Sequence, residues 1–143
     1  MVNIANKRLQ KKENTATNGG TSTNYGLLLD GIGYEIAYPL IANKEYLIIE
    51  EWNIKSSNDI FHTAQPKIIY EDDTVSYLSS GGNLTTLGVH KLARKFIPEK
   101  NVKNFYFGLT NKAGNTVSLA LNYAMIIEYQ QGMENWDIPY FEV

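Results

Sequence analysis

The sequence predicts an all-β fold, an antiparallel β-sandwich of jelly-roll type. Three observations carry it. Val117, Leu119, Leu121, Tyr123, Met125, Ile127 and Tyr129 share one parity over a single stretch, with mostly small or polar residues between them. That period of two fits a strand and no helix. Turn signals recur at Asn58-Asp59, Glu71-Asp72-Asp73, Ser79-Ser80-Gly81-Gly82-Asn83 and Asn111-Lys112-Ala113-Gly114-Asn115. Between them lie six to eight short apolar runs and no strong helical stripe.

Taken in order, residues 1–25 read as an extended arm. They carry Lys7, Arg8, Lys11 and Lys12 against Glu13, a net +3, which leaves −5 for the rest of a chain of net charge −2. After Leu9 no large apolar residue appears until Tyr25. Such a segment buries too little to offset its ordering entropy, so it is expected to gain order on a partner. Residues 26–132 form the predicted sandwich. Gly31-Ile32-Gly33 reads as a turn, since the third Gly of a dinucleotide loop is missing. Tyr34–Tyr38 precedes Pro39, which confines any strand there to an edge or an end.

Tyr46, Ile48, Trp52 and Ile54 mark a strong strand from Glu45 to Ile54, with Glu50 breaking the apolar row. A lone buried acid is rare, so Glu50 is expected at a sheet edge or beside Lys or Arg. Lys67–Tyr70 and Thr74–Leu78 flank an acidic turn as a hairpin. Residues 84–97 fit a short helix or a strand. Gly88 and the following Pro98 favour a strand over Lys91–Ile97, with Leu92, Arg94 and Phe96 on one face. Phe105, Phe107 and Leu109 begin the last hairpin, and the alternating run completes it, with its odd-numbered residues expected on one buried face. Residues 133–143 form an aromatic tail, which either folds back on its own domain or inserts into a neighbour.

The chemistry is sparse. There is no Cys, which excludes disulfides, thiolate catalysis and Cys-based metal sites. His62 and His90 are the only histidines, and neither sits at a ligand or triad spacing. Glu50 and Glu51 point to opposite faces, so they cannot work as an acid pair. Walker, nucleophile-elbow and EF-hand patterns are absent. No enzyme activity, cofactor or metal is therefore expected. The first residues lack an apolar signal region, and no apolar run approaches a membrane span. A protein made in a reducing cytosol is expected, and Asn83-Leu84-Thr85 is then no glycosylation site. The basic arm lacks aromatic residues among its charges, which argues against nucleic acid.

A polar arm, a one-domain sandwich, and the series Phe105-Tyr106-Phe107-Gly108-Leu109-Thr110-Asn111 before a turn and the long strand Thr116–Tyr129 resemble the small β-sandwich structural proteins of tailed-phage virions. These include decoration, head-fibre and adaptor types. The resemblance covers roughly residues 40–130. It implies a virion protein that works in many copies and docks other assembly proteins through its ends. The candidate contacts are Lys7, Arg8, Lys11 and Lys12 as charge guides and Trp136, Tyr140 and Phe141 as anchors. The alternative is a carbohydrate- or receptor-binding module, with Tyr25, Tyr34, Tyr38, Tyr70 and Tyr77 as an aromatic platform.

Overall fold

The computed structural model describes residues 2–4, 12–17, 25–112 and 114–141. Among the described residues ten strands run in the order β1 (Lys12–Thr17), β2 (Tyr25–Leu40), β3 (Tyr46–Ser57), β4 (His62–Thr63), β5 (Lys67–Tyr70), β6 (Val75–Tyr77), β7 (Asn83–Leu84), β8 (Gly88–Phe96), β9 (Val102–Asn111) and β10 (Thr116–Glu128). A 3-10 turn, Met133–Asn135, follows. One sheet has the order β1-β10-β3-β8, the other β2-β9-β5-β6, and β4 pairs with β7 in a small ribbon. All strand pairs are antiparallel. The chain crosses repeatedly between the two sheets, which is the jelly-roll pattern of double-sheet proteins. The predicted sandwich is thus what the chain forms, and residues 88–96 are strand.

The core between the sheets holds Ile48, Trp52 and Ile54 from β3, Ile68 and Tyr70 from β5, and Phe105, Phe107 and Leu109 from β9. The Phe105 ring lies 5.9 Å from Phe96, edge to face, and 5.2 Å from Phe107. Such ring pairs favour that geometry over direct stacking.

Strand β10 departs from the expectation of one buried face. Its pairing with β3 runs Leu119↔Ile54 and Leu121↔Trp52, then Tyr123↔Glu51, so Asn122 is an extra residue. A bulge of one residue swaps the faces of everything beyond it. Val117, Leu119 and Leu121 therefore point between the sheets, but so do Ala124 and Ile126. Met125 and Ile127 turn to the outer face, where they join Leu47, Ile49, Met133 and Ile138 in a second core.

Two further differences concern the chain's flanks. Asn3 bridges Ile127, the Ile4 amide donates to the Ile126 carbonyl at 2.7 Å, and β1 pairs with residues 116–121. Asn3, Ile4 and Lys12–Thr17 thus lie along the chain's own β10, where the arm was expected to need a partner. The physical reason is that β10 would otherwise present an unpaired row of backbone groups. Backbone pairing needs no apolar residues, so composition gave no sign of it. Gly31–Gly33, expected as a turn, lies inside β2 at the register jump between Leu28 and Gly33. Pro39 sits near the end of that edge strand, as expected.

Candidate docking surfaces

Glu50 and Arg94 form an ion pair inside the sandwich, with side chains that are 0% and 6% exposed. The Trp52 indole donates to the other carboxylate oxygen at 3.3 Å. Of its two expected settings, Glu50 takes the paired one, on an interior strand. Burial pushes its carboxyl up, and the charge and hydrogen bond of Arg94 pull against that. Arg94 Nη1 also donates to the carbonyls of Ala64 at 3.0 Å, Ser80 at 3.3 Å and Leu78 at 3.4 Å. The glycine-rich loop after β6 is therefore fastened to the core. A Cβ on Gly82 would stand 2.3 Å from the Ala64 carbonyl and 2.7 Å from Arg94 Nη1, so this position accepts only glycine.

His62 is buried and belongs to a polar lock. Its Nδ1 lies 3.0 Å from the Thr110 carbonyl, and its Nε2 lies 2.9 Å from Ser57 Oγ. Ser57 Oγ also bonds the Asp59 carbonyl at 2.6 Å and accepts from Asn115 Nδ2 at 3.0 Å. Asn115 Nδ2 reaches Asn111 Oδ1 at 2.7 Å as well. The set has a Ser–His pair, but a backbone carbonyl takes the place of the third, acidic member. What it does is staple the loop after β3 to the β9–β10 turn. His90, by contrast, is a surface group bonded to the Thr86 carbonyl at 2.8 Å. Among the described residues no group of three or more His, Asp or Glu could hold a metal. No helix among them is long and apolar enough to cross a membrane.

Large apolar side chains stand exposed at both ends of the sandwich. At one end β3 finishes beside the start of β8, with Ile54 opposite Gly88, and His62 pairs with Leu84. The loops leaving there carry Ile60, Phe61 and Leu87, with Val89 just inside, and Phe61 is 65% exposed. At the other end the loops after β2 and β8 meet through the Asn43 amide and the Pro98 carbonyl at 2.7 Å. Ile41 and Ile97 project from those loops. Both sets thus sit in or beside the loops at the two ends of the β3–β8 pair.

The tail folds back on its own domain. Ile138 and Met133 are buried in the outer core, and Tyr140 and Phe141 are half-buried against it. The Tyr140 ring lies 5.5 Å from Tyr123, and Asn3 Nδ2 donates to the Phe141 carbonyl at 3.0 Å. Lys91 Nζ holds Asp137 at 3.1 Å and the Ile138 carbonyl at 2.7 Å. Of the three expected aromatic anchors only Trp136 stays largely exposed, at 47%. Tyr140 and Phe141 pack against the tail's own outer core, because β10 beyond its bulge turns apolar groups outward that need cover. Lys12 opens β1 opposite Leu121. Lys7, Arg8 and Lys11 lie outside the described residues.

No family model matches the chain, and no curated protein matches it in sequence. Solved structures do share its architecture. A chain in the structure of infectious bursal disease virus, Gt strain, is 14% identical with a TM-score of 0.57; the match covers 92% of this chain and 33% of that one. A family 16 carbohydrate-binding module is 12% identical with a TM-score of 0.48, over 80% of this chain and 74% of that one. The C-terminal family 22 carbohydrate-binding module of Clostridium thermocellum Xyn10B is 11% identical with a TM-score of 0.45, over 83% and 85%. At these identities the likeness is one of fold, a β-sandwich. This chain spans a third of the viral chain's length.

Proposed function

We propose that this chain is a non-enzymatic structural module of a virion-type, multi-copy assembly, of capsid decoration or head or tail adaptor type, whose copies meet end to end. The observation that carries the reading is the placement of Ile60, Phe61, Leu87 and Val89 at one end and Ile41 and Ile97 at the other. Burying such groups between copies removes apolar surface from water. Two different apolar ends make a heterologous contact, which closes into a ring or continues as a stack. The jelly roll occurs in viral capsid and lectin domains alike, and the fold shared with the infectious bursal disease virus chain is in keeping with the first.

The cationic arm fits the same scheme. Lys7, Arg8, Lys11 and Lys12 belong to a segment of net +3, while the remainder carries −5; Lys12 opens a strand paired with its own β10, and charge favours contact between Lys7, Arg8 and Lys11 and a neighbouring copy's body. Trp136 adds an exposed aromatic group of the kind that dominates interfaces. Tyr140 and Phe141 contribute by holding the tail in place. Sedimentation velocity of the full chain over a range of concentrations tests the proposal. The wild type sediments as a multimer, and the Phe61→Asp, Leu87→Asp double variant sediments as a folded monomer. A wild type that stays monomeric throughout, or a variant that associates equally well, overturns it.

A further inference from the structure

The outer face of the β2-β9-β5-β6 sheet carries a row that the end-to-end contact does not use. Tyr77 pairs with Lys67, Lys67 with Tyr106, and Tyr106 with Gly33, so these four residues form one rung across the four strands. Directly paired residues point to the same side of a sheet. On β5 the buried residues are Ile68 and Tyr70, which face the core, so Lys67 and its rung face outward. Tyr77 is 55% exposed, while Lys67 and Tyr106 are half-buried. Gly33 adds no side chain to the rung. The next rung is Val75, Ile69, Asn104 and Glu35, so the one carboxylate residue in these two rungs stands two strands away from Lys67.

Lys67 differs from the other lysines around it. Lys44, Lys91, Lys95, Lys100, Lys103 and Lys112 each hold a carboxylate, whereas Lys67 holds none among the described residues. It is a cation whose register neighbours on either side are tyrosines, on the sheet's outer face. The two tyrosines stand two strand spacings apart, or about 9.5 Å. That distance suits two sugar rings of one chain, stacked on alternate platforms with a third ring between them. Aromatic faces offer an apolar body with a wet edge, which matches the apolar face and hydroxyl rim of a pyranose. The ring between the two would lie over Lys67, and a carboxylate on it would gain a charge-assisted hydrogen bond. Asn104 in the next rung can donate to and accept from hydroxyls.

We propose that this face binds an acidic oligosaccharide, a chain of uronic-acid type, through Tyr77, Lys67 and Tyr106. Of the tyrosines the sequence suggested, Tyr77 lies on this face and Tyr70 is buried, while the side chains of Tyr25, Tyr34 and Tyr38 lie outside the described ones; Tyr106 joins Tyr77 here. The site is independent of the end-to-end contact, so either can fail alone.

The test is calorimetric titration of the full chain with hexamers of mannuronate and of galacturonate, with cellohexaose as the neutral probe. At least one acidic hexamer binds, and cellohexaose binds much more weakly. Tyr77→Ala and Tyr106→Ala each weaken binding about tenfold, of the order of a lost aromatic contact. Lys67→Met weakens it at low salt and removes most of its salt dependence. Unchanged thermal midpoints show that the variants remain folded. No binding to either acidic hexamer, equal binding to cellohexaose, or binding that survives both tyrosine substitutions overturns the proposal.

Discussion

Arg94 on β8 and Glu50 on β3 neutralise each other inside the sandwich, while Arg94 also holds three carbonyls of the loops beside it. One side chain thus pairs a buried acid and ties the segments around Ala64, Leu78 and Ser80 to the core. Removing one member of such a pair costs much more than removing both. Arg94→Met is expected to destabilise the fold by about 3–5 kcal/mol in denaturant titration. The Glu50→Leu, Arg94→Met double variant should recover most of that. The single variant also has a pH signature. Burial already raises the Glu50 pKa above that of the unfolded chain, and losing Arg94 raises it further. The penalty for the buried charge is therefore relieved as pH falls, so Arg94→Met should gain stability relative to wild type toward acid pH. A deficit that does not change with pH would show that Glu50 is not the group left unpaired.

The bulge at Asn122 places Leu121 and Ile126 on the same side of the sheet although their numbers differ in parity. Leu121→Ala and Ile126→Ala should each cost about 2–5 kcal/mol, the range for large core truncations. Equilibrium unfolding checks both. A loss under about 0.5 kcal/mol at Ile126, the size of a surface change, would mean that the alternation runs through Asn122 unbroken.

The tail makes a paired test. Ile138 is 3% exposed and Trp136 is 47% exposed, two residues apart. Ile138→Ala should lower stability by about 2–5 kcal/mol. Trp136→Ala should leave monomer stability within about 0.5 kcal/mol. Chemical denaturation of both variants separates a tail that belongs to the fold from one that docks elsewhere.

Asp72 in the β5–β6 turn is held well below the usual carboxylate value of 3.8, at about 2. The Thr74 hydroxyl is the first cause, followed by Lys100 at 2.9 Å and the Thr74 amide. A depressed folded pKa means that the contribution is present above the unfolded value and is lost as pH falls through about 2. Carbon-detected NMR titration should place the Asp72 midpoint near 2. Asp72→Asn should flatten the stability profile between the two values, and a midpoint near 3.8 would remove the turn's acid dependence.

Much of the fold was legible because local chemistry repeats tertiary demand. The Glu71-Asp72-Asp73 and Asn111–Asn115 turns are where the hairpins close, and Asp73 and Gly114 take positive φ there. The row Tyr46, Ile48, Trp52, Ile54 faces the core as its parity requires. The bulge at Asn122 was not legible, since a polar residue at that position fits unbroken alternation equally well. Arg94 was visible on one face with Leu92 and Phe96, but its partner depended on which strand lay alongside. The docking of Asn3, Ile4 and Lys12–Thr17 rests on backbone groups that composition does not report. Exposure of Ile60, Phe61 and Leu87 was equally hidden, because a sequence shows an apolar residue without showing what covers it.

The end-to-end contact is tested most directly by hydrogen exchange on the assembled wild type and on the Phe61→Asp, Leu87→Asp variant. Opening free energies differ along a chain, so protection can be read segment by segment. The account predicts that residues 39–44, 58–62, 85–90 and 96–99 exchange slowly in the wild-type assembly and fast in the variant, while the β3 and β10 interiors stay protected in both. Equal exchange of those four segments in the two proteins, with the wild type verified as a multimer, would contradict it.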